Sequence, residues 1–197
     1  MIRGGILSKN PGKLFEEDLK TSAEEQGIFF YRIKDVPPNL LKRNARVSKN
    51  DYDSFIYKKP NLFPIELKST QAKSVSFSES IIKQHQIEAL HKASAYDGLI
   101  SGFIFNFREY DNKTYFVHID DFLKYKNCAE KGVCEVDYVK VNKSSIPLEV
   151  CEQIGEYIYN SKKKVRYRYY INKLITKLIR KYGNMDNPSS HKLVNEG

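Results

Sequence analysis

The apolar positions of the chain switch between helical and strand periods in a readable order. LFEEDLKTSAEEQG, residues 14–27, places Leu14, Phe15, Leu19 and Ala23 at helical spacing and ends on Gly27. It predicts an amphipathic helix with a glycine stop. Glu16, Glu17 and Asp18 are expected in its first turn, where the helix dipole favours acidic groups. GIFFYRI (27–33) is aromatic and β-branched and predicts a strand; residues 35–50, with Pro37-Pro38, predict a loop. DYDSFIYKK and NLFPIELKST predict two strands joined by a tight turn at Lys59-Pro60-Asn61. Pro64 has no N–H for a ladder, so it is expected at the strand's beginning or on an unpaired side.

Residues 76–98 predict a second helix, with a stripe of Ile82, Gln86, Ala89, Leu90 and Ala93 and a stop at Gly98. LISGFIFNF and KTYFVHI are almost continuously apolar and predict a buried strand pair. Weaker helical patterns cover 119–126 and 147–160. In YINKLITKLIRKY, Ile171, Leu174, Ile175, Leu178, Ile179 and Tyr182 form one stripe, with Lys173, Lys177, Arg180 and Lys181 opposite. The order is helix, three strands, helix, two strands, then helices. It predicts an α/β domain whose mixed sheet is flanked by helices. The expected division is a domain over 1–160 and a basic C-terminal segment over 161–197 with a disordered tail.

Charge refines this picture. The chain of 197 residues carries a net charge of +9, with 33 basic and 24 acidic residues. Nine basic residues and no acidic one lie between Lys162 and Lys181, leaving 24 against 24 elsewhere. Such a basic stripe, interleaved with Tyr167, Tyr169 and Tyr170, suits contact with a nucleic-acid backbone and stacking on unpaired bases. No apolar run approaches a membrane span, and the N-terminus holds no stretch suited to a secretory signal. Cys128, Cys134 and Cys151 lack zinc-site spacing and are expected to be reduced thiols in a cytoplasmic protein.

The chemistry concentrates on the predicted hairpin. Glu66 and Lys68 are two apart on a strand, so both side chains leave the same face, and Asp53 lies on the preceding strand. Two carboxylates, with the Leu67 carbonyl between them, make a hard oxygen site suited to Mg²⁺ or Mn²⁺. A neighbouring lysine then offsets developing negative charge, a combination fitted to phosphodiester hydrolysis. Taken alone, an acid followed by Glu-x-Lys is a weak signal, because exposed strands often carry a Glu–Lys pair.

The surrounding motifs sharpen it. Asn10–Leu19, Ile65–Thr70, Ser76-Phe77 with Gln84–Glu88, and Tyr96-Asp97-Gly98 entering 99–107 occur in the order seen in one nuclease family. The chain resembles the RecU-like Holliday-junction resolvases of the PD-(D/E)XK nuclease superfamily over about residues 10–120. The resemblance implies a restriction-endonuclease-like core and a homodimer whose two-fold axis relates two cuts in branched DNA. It implies that Asp53 and Glu66 bind metal, that Lys68 is catalytic, that Glu16 completes or supports the metal site and that Gln86 stands beside it. Asp51 competes with Asp53, and Glu17 with Glu16. His85 and His91 are read as structural or DNA-proximal, and Thr70 and Lys73 as candidate phosphate contacts.

Family members carry a stalk between the first strand and the hairpin that enters a four-way junction. Here residues 35–50 are short, although they keep Lys42, Arg43, Arg46 and Lys49 as candidate DNA contacts alongside Lys73, Lys163, Lys164, Arg166 and Arg168. The short stalk leaves open a related nuclease with another substrate, restriction-like, flap-cutting or nicking. A non-catalytic DNA-binding accessory protein is the third reading.

Overall fold

The computed structural model describes residues 10–34 and 50–183. The first helix, α1 (Pro11–Glu25), starts earlier than expected because the Asn10 side chain accepts from Gly12 N at 3.0 Å and Pro11 occupies the first turn. Glu16, Glu17 and Asp18 therefore lie beyond the first turn, which holds no acidic residue. Gly27 adopts a left-handed φ of 67°, and the next amide, Ile28 N, bonds back to Ala23 O, closing the helix.

Strands β1 (Phe29–Arg32), β2 (Ser54–Lys58) and β3 (Asn61–Thr70) pair antiparallel in sequence order, and the β2–β3 turn contains a cis Lys59–Pro60 bond. After β4 (Ser74–Ser76) and α2 (Gln84–Ser94), β5 (Gly102–Phe107) runs parallel to β3. β6 (Lys113–His118) returns antiparallel, followed by α3 (Ile119–Lys131), β7 (Ser145–Pro147), α4 (Leu148–Ile154) and β8 (Glu156–Tyr157). The mixed sheet has the order β1-β2-β3-β5-β6-β8. The chain then makes a hairpin, β9 (Asn160–Lys162) and β10 (Tyr167–Tyr169), and ends its described part with α5 (Ile171–Tyr182).

The expected α/β architecture is present, with helices on both faces of a mixed sheet. One face packs Phe15, Leu19 and Ala23 of α1 and Leu174, Ile175 and Leu178 of α5 against Ile65, Leu67 and Ile104. The other packs Ile87 and Leu90 of α2 and Phe122 and Tyr125 of α3 against Phe103, Phe105 and Phe107. The continuous apolar run of β5 follows from this double burial. The described part of 161–197 shares the first core through Tyr169 and α5, so the boundary at residue 160 does not separate two cores.

Pro64 sits inside a central strand on an unpaired side, as expected, at a gap in the β3–β5 ladder. An isolated bridge pairs Leu62 with Leu99, and continuous β3–β5 pairing begins only at Ile65 with Gly102. The second helix is shorter than 76–98 because Val75 and Ser76 join β4 and the Ser76 hydroxyl captures Ser78 N at 3.1 Å. Its stripe uses Ile87 rather than Ala89. The helical reading of 147–160 gives way after Ile154 to strands, β4 and β7 were not anticipated, and α3 extends to Lys131.

The cysteine expectation is corrected as well. The left-handed Gly132 turns the chain back at the end of α3, bringing Cys134 to a Cα–Cα distance of 4.6 Å from Cys128, and the two form a disulfide. Cys151 is a free, buried thiol.

Candidate active site

The β2–β3 register places Ser54 opposite Ile65, so one step outward Asp53 lies opposite Glu66. Asp53 Oδ2 accepts from Leu67 N at 3.1 Å, which fixes the carboxylate across the end of β2. Backbone groups of Leu62 and Thr70 bond toward the β5 side, so those of Leu67 face Asp53. The pleat therefore turns the Leu67 carbonyl to the same side as its N–H. Glu66 is 1% exposed and Lys68 Nζ donates to its Oε1 at 2.8 Å. Gln86 Nε2 donates to the same oxygen at 2.6 Å, while Gln86 Oε1 accepts from Lys68 Nζ at 3.4 Å and from Lys83 N at 3.3 Å. Gln86 is thus a bridge from α2 that holds both Glu66 and Lys68 of β3.

The second oxygen, Glu66 Oε2, is buried with no hydrogen-bond donor. Burial, then the Asp53 carboxylate, push the Glu66 carboxyl up to about 7 against the pull of Lys68. Among the described residues no cluster of three or more His, Cys, Asp and Glu side chains could hold a metal. The available donor set is therefore the two carboxylates and the Leu67 carbonyl. An orphaned, buried carboxylate oxygen beside a second acid fits a hard divalent cation.

These groups line an open pocket of about 360 Å³ together with Glu16, Arg32, Asn50, Lys83 and His85. Glu16 does reach the pocket, where its Oε2 lies 2.6 Å from Arg32 Nη2. Glu17 turns to Arg166, at 3.2 Å, and is not in the pocket lining. Asp51 is exposed and outside the pocket lining. His91 stands 3.9 Å from Asp120, away from the pocket. Arg32 and Lys83 were missed by sequence reasoning. Arg32 arrives because β1 pairs it with Ser54, next to Asp53, and no local pattern reports that register.

A family model described as Recombination protein U, RecU, matches residues 43–164. A Holliday junction resolvase RecU of Mycoplasmopsis pulmonis is 31% identical over 151 residues, covering 73% of this chain and 88% of that protein. This chain belongs to the RecU family. A SPbeta prophage-derived uncharacterized protein, YotM, of Bacillus subtilis is 55% identical over 181 residues, covering 92% of this chain and 93% of its own length. Among solved structures, Hjc of Archaeoglobus fulgidus, a Holliday junction resolvase, aligns at a TM-score of 0.47 and 16% identity over 74% of this chain and 95% of its own.

The candidate DNA contacts of this RecU-family chain divide sharply. Lys42, Arg43 and Arg46 lie outside the described residues. Lys73 is held by Glu149 at 2.6 Å, Lys163 by Glu25 at 3.3 Å and Arg168 by Glu25 at 3.6 Å. Arg166 joins Asp18 and Glu17. Lys177 and Lys181 face Glu156 at 3.8 and 3.1 Å. Five of the nine basic residues of the stripe are thus paired with four acids from elsewhere in the fold. Lys164 has no ion pair among the described residues. Thr70 Oγ1 accepts from Ala72 N at 3.0 Å, closing the turn after β3. No described helix is long and apolar enough to cross a membrane.

Proposed function

We propose that the chain is a divalent-metal-dependent endonuclease that hydrolyses DNA phosphodiesters in branched DNA, as a Holliday-junction resolvase. The observation that carries the reading is the donorless Glu66 Oε2, buried at the β3 position opposite Asp53. Asp53, Glu66 and that carbonyl would hold Mg²⁺, or Mn²⁺ in its place; when bound, the cation supplies Lewis-acid activation of the phosphate and lowers the pKa of water. Lys68, gripped by Glu66 and Gln86, keeps an ammonium at the pocket to offset charge on the phosphate oxygens. Glu16, tied to Arg32, supports the outer wall. Membership of the RecU family and the name of the Mycoplasmopsis relative support the junction as substrate. Paired cuts in a four-way junction call for two sites related by a two-fold axis, hence a homodimer. A bacterial, prophage-derived relative fits action on DNA inside a bacterial cell.

A panel of four-way junction, flap, nicked and linear duplex DNA, each with Mg²⁺ or Mn²⁺, tests the reading. Symmetric nicks in the junction are expected, and Asp53→Ala abolishes them while leaving DNA binding intact. Equal cutting of linear duplex would point to a related nuclease. Cutting by Asp53→Ala would remove the site assignment, and no cleavage of any substrate by the wild type would leave a DNA-binding accessory protein.

A further inference from the structure

The ion pairs split the basic segment into clamps and a tip. Arg166 and Arg168 point back to α1, and the buried Asp18 also accepts from Tyr167 N at 3.1 Å. Ser22 Oγ accepts from Tyr169 N at 2.9 Å, and Gln26 Nε2 donates to Tyr169 O at 2.7 Å. The β9–β10 hairpin is therefore fastened along the same helix that presents Glu16 to the carboxylate pocket. Its turn is closed by Lys163 N donating to Arg166 O at 2.7 Å. At that turn, Lys162 and Lys164 have no ion pair among the described residues, and Val165 is 84% exposed. A rigid hairpin ending in free ammonium groups and a bare aliphatic side chain presents charge complementary to phosphates and an apolar contact for sugars and base edges.

The position of the tip is also informative. Val165 lines a small cavity with Arg108, and Arg108 Nη1 donates to Ser69 Oγ at 2.9 Å. Ser69 in turn lines a hydroxyl-rich groove, with Thr70, Ser74 and Ser76, that shares Leu67 and Lys68 with the carboxylate pocket. The hydroxyl groove thus adjoins the carboxylate pocket, and the Arg108–Ser69 hydrogen bond ties it to the cavity that Val165 lines. The joint between hairpin and α1 is neutralised by its own ion pairs, so within the hairpin the unpaired positive charge lies at the tip.

We propose that the tip, Lys162–Val165, is a DNA-docking wing that grips the duplex arm leaving the carboxylate pocket along the Ser69–Arg108 end of the sheet. The proposal rests on the reading of the pocket as a DNA-cleaving site, but its test does not need cleavage. Fluorescence anisotropy with a labelled four-way junction, in Ca²⁺ and over a salt series, reads affinity and its salt dependence. The Lys162→Gln/Lys164→Gln protein should bind more weakly, with the log–log salt slope reduced by about 2, roughly 1 per lost phosphate contact. Val165→Ser should weaken binding several-fold at an unchanged slope. Lys124→Gln/Lys131→Gln, the same charge removed from α3, should keep the wild-type slope. Wild-type affinity and slope in the Lys162/Lys164 variant would overturn the wing, as would an equal loss in the α3 control. A wild type that cuts nothing, yet loses affinity through the tip variants alone, would overturn the nuclease reading and leave the wing standing.

Discussion

Glu66→Gln separates the cost of the buried acid from its use. A carboxyl moved from 4.5 to about 7 favours its protonated form in the folded chain by about 3 kcal/mol. Between those pH values the folded protein holds a proton that the unfolded chain has released. Stability of the metal-free protein therefore falls as pH rises from about 4.5 to 7 and stays low above that. Glutamine keeps an oxygen for Lys68 and Gln86 and offers an amide N–H toward Asp53, but has no charge to bury. The variant should match the wild type near pH 4, below the ordinary carboxyl pKa, and exceed it by about 3 kcal/mol at pH 9, an increase in Tm of roughly 8 °C for a chain of this size. Urea or thermal unfolding at pH 4, 7 and 9 without divalent ions measures this difference. Adding Mg²⁺ at pH 8 should raise the Tm of the wild type and leave Glu66→Gln unmoved, because a cation that binds only the folded state stabilises only a chain able to bind it. A wild-type-minus-variant difference that does not change with pH would refute the buried-acid argument.

Asp18→Asn keeps the shape of the α1–hairpin joint but discharges the acceptor of Arg166 and Tyr167 N. It should lower stability by about 2 kcal/mol in urea unfolding, and an unchanged midpoint would show that the hairpin is held by its apolar contacts alone. Gly102→Ala would drive a Cβ into the Val117 carbonyl oxygen and to 2.8 Å from the Phe116 ring. Overpacking at this central strand should cost about 3 kcal/mol, read as a lower Tm, and a neutral result would contradict the close β5–β6 approach.

Much of this protein was legible in its sequence because the deciding signals are local. Period-3.6 spacing showed the two amphipathic helices α1 and α5, almost continuous apolar runs showed the buried β5–β6 pair, and two strand-type runs about Lys59-Pro60-Asn61 showed the hairpin. The two-residue spacing of Glu66 and Lys68 follows from the strand pleat, and Asp53 from the hairpin register. Tertiary structure decided what depends on partners far apart in sequence. Arg32 meets Glu16 only because β1 docks beside β2 and α1 packs over the same end of the sheet. Gln86 becomes a bridge because α2 is laid against β3. The basic run from Lys162 to Lys181 reads as one DNA-binding stripe until Asp18, Glu25 and Glu156 are brought against it. A charge is a property of the residue, but the potential it presents depends on which opposite charges the fold places within a few ångströms.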